Sequence, residues 1–343
     1  MRVTQLVACL GMVLVSLGLG LPAAAQTTPA YTLKIATTAP EGTPWAKGIT
    51  DFKVQAESLS GKKLTVKPFL GGVLGDENET VQSCQRGQIQ GVGVSTGALA
   101  TVVPELSVVE LPYLFKSQEE ADFILDSVIL NAVEKALEAK GLVLGFWSEN
   151  GYRSFGTTFG FVKSPADLKG HKMRSQENPI HLAMYRSFGA SPVPIPVTEV
   201  LTSLQTGVID GYDNTVLFAS AAQWTSATKY FTLTNHIYQP AAIVYNKAWF
   251  DGLPKDVQDA VKSPRTGLVT QMRGEIRALT PILVDNLSAM KVQVYTPSAA
   301  ERAAFEAAGK VARDTWLKTA TTTEKALYDK IVAGQTMYRK AHP

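Results

Sequence analysis

The feature that most constrains the fold is a regular alternation of short strands and helices near the start of the chain. Residues 31–37 alternate apolar and polar side chains as a strand does, and residues 44–59 follow with a helical pattern. Residues 64–69 read as a second strand, and a helix over residues 77–85 leads to a third strand over residues 90–94. This β-α-β-α-β order predicts an α/β fold with a mostly parallel sheet covered by helices.

The alternation resumes in the second part of the chain. Ser117 and Glu120 have the spacing of a capping box and predict a helix to about Lys140, before a strand at residues 142–147. Two α/β units without a low-complexity linker predict two lobes joined by more than one crossing of the chain. The second unit has predicted strands at residues 172–175, 191–195 and 208–212, with helices at residues 181–188 and 199–204.

The C-terminal part reads as mostly helical. A strand is predicted at residues 241–246, and after it only residues 292–295 read as extended. Ser298 and Glu301 form a second capping box, and Thr323 can cap the last helix.

Length and composition suit a soluble chain with two lobes. A chain of 343 residues exceeds the size at which a single core keeps growing, so two domains or one large domain are expected. Apolar residues make up 45% and charged residues 18%, as in ordinary globular proteins. The formal net charge is only +3 and no dense run of Lys or Arg occurs, so we expect no nucleic-acid partner.

The N-terminus has the three parts of a secretory signal peptide. Arg2 supplies a positive charge, residues 6–19 are apolar, and Ala23 to Ala25 form a small-residue cleavage pattern. We expect residues 1–25 to be removed after Ala25 and the mature chain to be periplasmic. Cys84 is then the only cysteine, so an internal disulfide is impossible and packing must stabilise the fold.

One motif suggests an enzyme. Residues 93–97 match the G-x-S-x-G elbow of α/β-hydrolases, they follow a predicted strand, and His181 and His236 come later in the chain. However, no clear helix is predicted after Ser95, because residues 98–104 run through β-branched residues into a proline. A secreted serine esterase using Ser95 is therefore a remote alternative to a tight turn that lines a cleft.

The sequence predicts no metal site and no cofactor. The four histidines lie far apart without cysteines or close carboxylates at ligand spacing. The glycines match neither a Walker A motif nor a complete dinucleotide fingerprint.

Two arginines at predicted strand ends are the more informative polar residues. Arg153 and Arg174 lie where open α/β sheets collect their ligands. The planar guanidinium suits a carboxylate because it donates two parallel hydrogen bonds and stays charged at physiological pH. From these residues alone, a surface role for each arginine stays open.

Several motifs together resemble the DctP-type solute-binding proteins of tripartite ATP-independent periplasmic (TRAP) transporters. The similarity extends over nearly the whole mature chain to about Val261. The motifs are the Gly-Gly-Val-Leu-Gly-Asp-Glu turn at residues 71–77, Leu-Pro-Tyr-Leu-Phe at residues 111–115, Asp-Leu-Lys-Gly-His-Lys-Met-Arg at residues 167–174, Gly-Ala-Ser-Pro-Val-Pro at residues 189–194, and the stretch from Leu204 to Asn214.

The resemblance implies a two-lobed α/β fold of the periplasmic-binding-protein kind, with strands crossing between the lobes. A long helix should brace both lobes, for which residues 257–290 are the candidate, and Pro264 and Pro281 should kink or break it. The implied division places residues 31–150 plus 239–279 in lobe one, and residues 151–238 plus 280–343 in lobe two.

The resemblance also implies site residues. Arg174 should pair with the ligand carboxylate, Arg153 should support it, and Asn214 should donate its amide to the same anion. Ser95 and Thr96 should meet the ligand from the facing lobe.

Three residues depart from the family pattern and should decide which acid binds. Val197 stands where many relatives carry a phenylalanine that packs on the ligand, and Tyr212 and Asp213 stand where Gln-Glu is common. Of the aromatic residues near these motifs, Tyr212 is the first candidate to line the pocket.

The implied function is the extracytoplasmic solute-binding component of a TRAP transporter. It should bind a C4-dicarboxylate or a related small carboxylate as a monomer and deliver it to the integral membrane permease subunits. An ABC-type binding protein and a binding module that serves a sensor remain alternatives.

Overall fold

The strands form one continuous sheet in the computed structural model, which describes residues 30–342. The predicted signal peptide, residues 1–25, lies outside the described residues. Along the sheet the order is β2-β1-β3-β8-β4-β7-β5-β6, with β9 paired to β8. The strands are β1 (Tyr31–Ala36), β2 (Leu64–Phe69), β3 (Gly91–Ser95), β4 (Leu142–Thr157), β5 (Lys172–Ser175), β6 (Ser191–Pro194), β7 (Gly211–Asn214), β8 (Tyr230–Asn246) and β9 (Gln293–Tyr295).

The sheet is parallel at its two ends and antiparallel in its middle. Strand β1 pairs in parallel with β2 and β3, and β5 pairs in parallel with β6 and β7. Between these ends, β3 with β8, β8 with β4 and β4 with β7 are antiparallel. The prediction of a mostly parallel sheet is therefore confirmed for each end of the sheet. The centre is antiparallel because two long strands cross it in opposite directions.

These crossing strands are much longer than the sequence predicts. Strand β4 was expected at residues 142–147 and β8 at residues 241–246, whereas they have 16 and 17 residues. The apolar pattern stops early because polar residues such as Glu149 and Arg153 follow, yet both side chains are buried and paired. A register shift between Glu149 and Gly151 marks the middle of β4, and Gly151 has a φ of +100° that favours glycine.

Helices cover both faces of the sheet. Short 3-10 segments over residues 104–110, 165–168, 197–199 and 224–227 connect some of the elements. The helices are α1 (Pro44–Leu59), α2 (Glu77–Gln85), α3 (Thr96–Leu99), α4 (Gln118–Phe123), α5 (Leu130–Ala139), α6 (Pro179–Ser187), α7 (Val200–Gln205), α8 (Val216–Ala221), α9 (Lys247–Asp251), α10 (Lys255–Lys262), α11 (Arg265–Leu287), α12 (Ala299–Thr319) and α13 (Thr322–Ala341).

Some helix boundaries differ from the predicted ones. The helix expected from Ser117 to Lys140 is divided by a π-helical turn at Ile124–Val128, so it forms α4 and α5. The last helix is capped by Thr321 in a capping box with Glu324, and the predicted cap Thr323 lies inside the first turn.

The candidate bracing helix also has different ends from those predicted. Pro264 separates α10 from α11, as expected of a residue that cannot continue a helical hydrogen-bond ladder. Pro281 lies inside α11 and does not end it. Leu268 of α11 packs in a core with Leu33 and Phe52, and Leu287 packs with Trp224 in another core, so α11 contacts both ends of the sheet.

The apolar residues form separate cores at the two ends of the sheet. Leu33 and Trp147 belong to cores beside β1 and β3, while Phe155 and Trp224 belong to cores beside β5 and β7. A fully buried side chain of this size contributes about 1.5–3 kcal/mol to folding. The fold is therefore the predicted α/β, two-lobed architecture with crossing strands.

The C-terminal helix α13 packs against elements assigned to lobe one. Leu327 and Ile331 share a core with Ile124, and the Gln335 amide donates to the Leu114 carbonyl. The predicted division placed residues 280–343 in lobe two, so this contact differs from it for α13. Lobe one denotes residues up to 150, and lobe two denotes residues 151–238.

Candidate functional site

A small cavity lies where the crossing strands meet both lobes. Its volume is about 20 Å³, enough for about one water molecule. A larger groove of about 820 Å³ lies elsewhere on the protein, but both predicted arginines line the small cavity. The lining residues are Thr38, Glu77, Asn150, Arg153, Arg174, Gln176, Val197, Asn214, Phe218 and Gln239.

Arg174 lies in β5 and is 3% exposed. Its Nε donates to the Ile195 carbonyl at 2.9 Å, and its guanidinium carbon lies 5.7 Å from the centre of the Trp224 ring. No carboxylate forms an ion pair with it within residues 30–342. Burial lowers the pKa of Arg174, and the nearby charge of Arg153 lowers it further. An anion placed beside Arg174 in the cavity would oppose this lowering, because an opposite charge favours the charged form of the guanidinium.

Arg153 is neutralised by the protein itself. It lies inside the long strand β4, and not at a strand end as predicted, with its Nε 2.6 Å from Asp213 Oδ2. One terminal nitrogen donates to the Asp213 carbonyl at 2.6 Å and the other to Gln239 Oε1 at 2.9 Å. Burial alone would raise the pKa of Asp213, but the charge and hydrogen bond of Arg153, the hydrogen bond from His236 and the nearby His181 together outweigh burial and hold that pKa well below its usual range.

Asp213 lines no part of the cavity. Besides Arg153, it accepts from the Tyr185 hydroxyl at 2.8 Å and lies 3.3 Å from His236 Nε2. Its carboxylate therefore fixes the position of Arg153 and does not face a ligand directly.

Asn214 presents a free amide to the cavity. Its Oδ1 accepts from the Thr215 backbone N–H at 2.8 Å, which fixes the carboxamide. The amide nitrogen has no acceptor within residues 30–342 and can therefore donate to an anion beside Arg174. Val197 also lines the cavity, and its backbone N–H donates to Asp76 Oδ1 across the lobes at 2.9 Å.

Tyr212 lies in the core and not in the cavity. Neighbouring residues of a strand point to opposite faces, so Tyr212 points away from the side that Asp213 occupies. Its ring packs edge-on against Trp224 with centres 5.0 Å apart. A Cβ on Gly156 would lie 2.3 Å from this ring, so the glycine makes room for it. The aromatic residue that does line the cavity is Phe218, which the sequence analysis did not single out.

Ser95 and Thr96 lie behind the cavity wall in lobe one. The Ser95 hydroxyl donates to Glu77 Oε2 at 2.9 Å and accepts from the Gln176 amide at 2.8 Å. The Thr96 hydroxyl lies 2.5 Å from Glu110 Oε1. A short helix, α3, does follow Ser95, contrary to the prediction, and Ser95 caps it.

The elbow motif lacks a histidine partner. Ser95 Oγ has no hydrogen bond to a histidine among the described residues, and His181 instead pairs with Glu110 at 2.6 Å. The seryl oxygen therefore has no general base of the kind that a hydrolase needs.

Several cavity residues were missed by the sequence analysis. In the sequence, Glu77 only ends the turn motif at residues 71–77, and no pattern marks Asn150. Gln176 and Gln239 carried no signal, because a single amide in a strand or loop is common in any protein. Gln239 joins the lobes, since its amide donates to Glu110 at 3.0 Å and to Gln176 Oε1 at 2.9 Å.

Fold and site together define a class of protein. Two α/β lobes share crossing strands, and the lobes meet over a buried cavity in which the Arg174 guanidinium has no counter-ion among residues 30–342. This is the architecture of a solute-binding protein that closes around its ligand.

Comparisons with known proteins agree with this class. The family model for bacterial extracellular solute-binding proteins of family 7, DctP, matches residues 35–319. The 2,3-diketo-L-gulonate-binding periplasmic protein YiaO of Escherichia coli (strain K12) is 32% identical over 258 residues, covering 75% of this chain and 78% of that protein. The C4-dicarboxylate-binding periplasmic protein DctP of Rhodobacter capsulatus is 30% identical over 309 residues, covering 87% and 89%.

A solved structure extends the similarity to three dimensions. The TRAP periplasmic solute-binding protein from Polaromonas sp JS666, bound to D-erythronate, matches with a TM-score of 0.83 and 28% identity. The match covers 89% of this chain and 98% of that structure. The chain belongs to the family-7 bacterial extracellular solute-binding proteins, the DctP-type binding proteins of TRAP transporters.

Family membership confirms that the chain is a binding protein and not an enzyme. The esterase and ABC-type alternatives are therefore wrong. None of the helices within residues 30–342 is long and apolar enough to cross a membrane. Those residues also contain no group of 3 or more potential metal ligands.

Proposed function

We propose that the protein captures a small organic acid between its lobes, holds the carboxylate on Arg174, and delivers the acid to the membrane subunits of a TRAP permease. The observation that carries this proposal is the buried Arg174 guanidinium, which lines the cavity and has no counter-ion in the part of the chain that the structure describes. An unpaired buried charge is costly, so a ligand carboxylate that pairs with it binds favourably.

Three donors converge on the proposed carboxylate position. Arg174 offers the two terminal nitrogens that the Ile195 carbonyl leaves free, and Asn214 offers its amide. Arg153 also lines the cavity, and Asp213 and Gln239 hold its guanidinium in place. Hydrogen bonds to a charged group contribute about 1.5–3 kcal/mol each, which is enough to give tight binding when several act together.

Binding requires the lobes to move. A cavity of about 20 Å³ is too small for an organic acid, so the ligand must enter an open form. We propose that the acid docks on Arg174, recruits Asn214 and Arg153, and is then enclosed by lobe one. Closure excludes water and thereby strengthens the charge pairing.

The known ligands of relatives support an acid in this chain. YiaO is named for 2,3-diketo-L-gulonate, the Rhodobacter protein for C4-dicarboxylates, and the Polaromonas structure contains D-erythronate. All of these ligands carry a carboxylate. We further propose that the chain is exported, cleaved after Ala25, and acts in the periplasm as a monomer.

Substitution of Arg174 tests the proposal. Arg174→Ala should abolish acid binding in calorimetry, and Arg174→Lys should bind far more weakly because an ammonium cannot form the two parallel bonds. Arg86→Ala is the matched control, since Arg86 is exposed on the surface. Near-wild-type affinity in Arg174→Ala, with a melting temperature equal to wild type, would contradict the proposed role.

Delivery to a permease is tested separately from binding. Vesicles that contain the TRAP membrane subunits should accumulate the acid only when the binding protein is added. A binding module serving a sensor is the alternative, and it would bind the acid equally well without supporting uptake.

A further inference from the structure

We infer that Glu77 restricts the ligand to hydroxylated monocarboxylates and rejects acids that carry a second carboxylate. This inference rests on the proposed function and names the ligand class of the same cavity. It begins from a feature that the arginine pairing leaves unexplained, namely the partly buried carboxyl group of Glu77 in the wall of the proposed anion-binding cavity.

The Glu77 side chain is fixed at the cavity wall in lobe one. Glu77 begins α2, and its Oε1 accepts from the Ser95 backbone N–H at 2.8 Å. Its Oε2 accepts from the Ser95 hydroxyl at 2.9 Å and lies 3.4 Å from the Gln176 amide nitrogen. A carboxylate offers about four lone-pair positions, so Glu77 can still accept hydrogen bonds from ligand hydroxyls.

The charges around the cavity allow for one ligand carboxylate. Arg153 is neutralised by Asp213, so Arg174 is the one lining cation without a counter-ion among the described residues. Asn150, Gln176 and the other uncharged lining groups are amides, hydroxyls or apolar side chains. A second carboxylate would meet Glu77 with no cation to offset the repulsion, whereas a hydroxyl would donate to it.

The repulsion between Glu77 and a second ligand carboxylate should depend on pH. Burial raises the pKa of Glu77 to about 7, the charges of Asp76 and Glu110 add to the shift, and the hydrogen bonds from Ser95 oppose it. Among the described residues, the cations that line the same cavity as Glu77 are Arg153 and Arg174. Below this pKa a neutral Glu77 can donate to a second carboxylate, so discrimination should weaken as the pH falls from 8 to 6.

Matched acids that differ by one carboxylate test the inference. Galactonate and galactarate, gluconate and glucarate, and erythronate and meso-tartrate each share a carbon chain but differ at the far end. At pH 8 at least one monocarboxylate should bind the wild-type protein more than about tenfold tighter than its matched dicarboxylate, because contact between like charges is costly. Calorimetry measures both affinities, and succinate serves as a dicarboxylate without hydroxyls.

The Glu77→Gln variant should remove the discrimination. In this variant the ratio of the monocarboxylate affinity to the affinity of the matched dicarboxylate should fall toward one at pH 8 and should have the same value at pH 6. In the wild type this ratio should decrease between pH 8 and pH 6. Glu138→Gln, on the exposed surface of α5, is the matched control and should keep the wild-type ratio.

The stability of the unliganded proteins shows whether Glu77 titrates as inferred. A folded-state pKa above the unfolded value means that the folded protein gains stability as the pH falls from above 7 toward about 4.5. The unfolding free energy of the wild type minus that of Glu77→Gln should therefore increase on acidification. This difference also establishes that the variant folds.

The outcomes separate the inference from the proposed function. The inference is overturned if the wild type binds the dicarboxylates or succinate as tightly as the monocarboxylates, or more tightly, and if Glu77→Gln does not change these affinities. Arg174 would then remain the carboxylate anchor. If only acids outside the hydroxylated pairs bind, the ligand class is wrong. If no acid binds at all, the proposed function fails as well.

Discussion

Two arginines that look alike in the sequence have different roles at the residue scale. Arg153 and Arg174 were both placed at strand ends as ligand-binding candidates. Arg153 is paired with Asp213 at 2.6 Å, while Arg174 has no carboxylate partner among residues 30–342. Asp213 was expected to help choose the ligand, but its contacts make it a positioning residue for Arg153.

Loss of the Asp213 charge should reduce the stability of the protein more than loss of a single hydrogen bond does. Asp213→Asn leaves the Arg153 guanidinium buried without a counter-ion, which costs about 3–5 kcal/mol. Tyr185→Phe is the matched control, because it removes only one hydrogen bond to the same carboxylate and should cost about 1 kcal/mol. Urea denaturation measures both changes.

The stability lost in Asp213→Asn should depend on pH in a defined direction. The pKa of Asp213 is lowered in the folded protein, so its stabilisation is present above the unfolded pKa of about 4 and is lost as the pH falls below it. The difference between wild type and Asp213→Asn should therefore shrink below about pH 4. Equal stability of the two proteins at pH 7 would show that Arg153 needs no counter-ion.

At the scale of elements, helix α11 is fixed to the crossing strands by charge pairs. Arg277 contacts Glu149 at 2.5 Å and Asp122 at 2.8 Å, and the Glu149 side chain is fully buried. The Tyr238 hydroxyl also donates to Glu149 at 2.6 Å. This network joins α11 to β4 at the point where the chain passes between the lobes.

Removal of Arg277 should destabilise the protein far more than removal of another arginine on the same helix. Arg277→Met leaves the buried Glu149 carboxylate without its cation, at a cost of about 3 kcal/mol or more. Arg265→Met breaks a pair with Glu134 in which both side chains are partly exposed, and it should cost less than about 1 kcal/mol. Thermal and urea unfolding of both variants give the comparison, and equal losses would contradict it.

The whole molecule is held closed by hydrogen bonds between the lobes. The Asn178 amide donates to the Gly97 carbonyl at 3.1 Å, and the Gln176 amide donates to Ser95 at 2.8 Å. We expect these bonds to break when the lobes open and to form again when the lobes close around the ligand, so they should raise ligand affinity although they need not touch the ligand.

Asn178→Ser should therefore weaken acid binding without changing the cavity. A serine can still cap α6 but cannot reach Gly97, and the lost bond of about 1 kcal/mol predicts an affinity about fivefold lower. Asn78→Ser removes an exposed bond between the lobes, to Glu177, and should have a smaller effect. Calorimetry measures the affinities, and X-ray scattering should show less closure with ligand in Asn178→Ser.

The elements that the sequence predicted well are those with local signals. Helices α1 and α2 and strand β2 have the predicted ends, because caps, turns and apolar periodicity are encoded within a few residues. The π-helical turn at Ile124–Val128 was missed, because no capping or breaking residue marks it. The lengths of β4 and β8 were missed because their buried polar side chains are satisfied only by partners far along the chain.

The amino-acid sequence by itself determined the α/β class, the family and the location of Arg174 in a motif that resembles the family pattern. These depend on local patterns and on similarity to related chains. Only the tertiary structure decided which arginine carries an uncompensated charge, that Tyr212 lies in the core, and that Glu77 lies in the cavity wall. The physical reason is that charge balance and burial depend on distant partners, which become neighbours only when the crossing strands bring the lobes together.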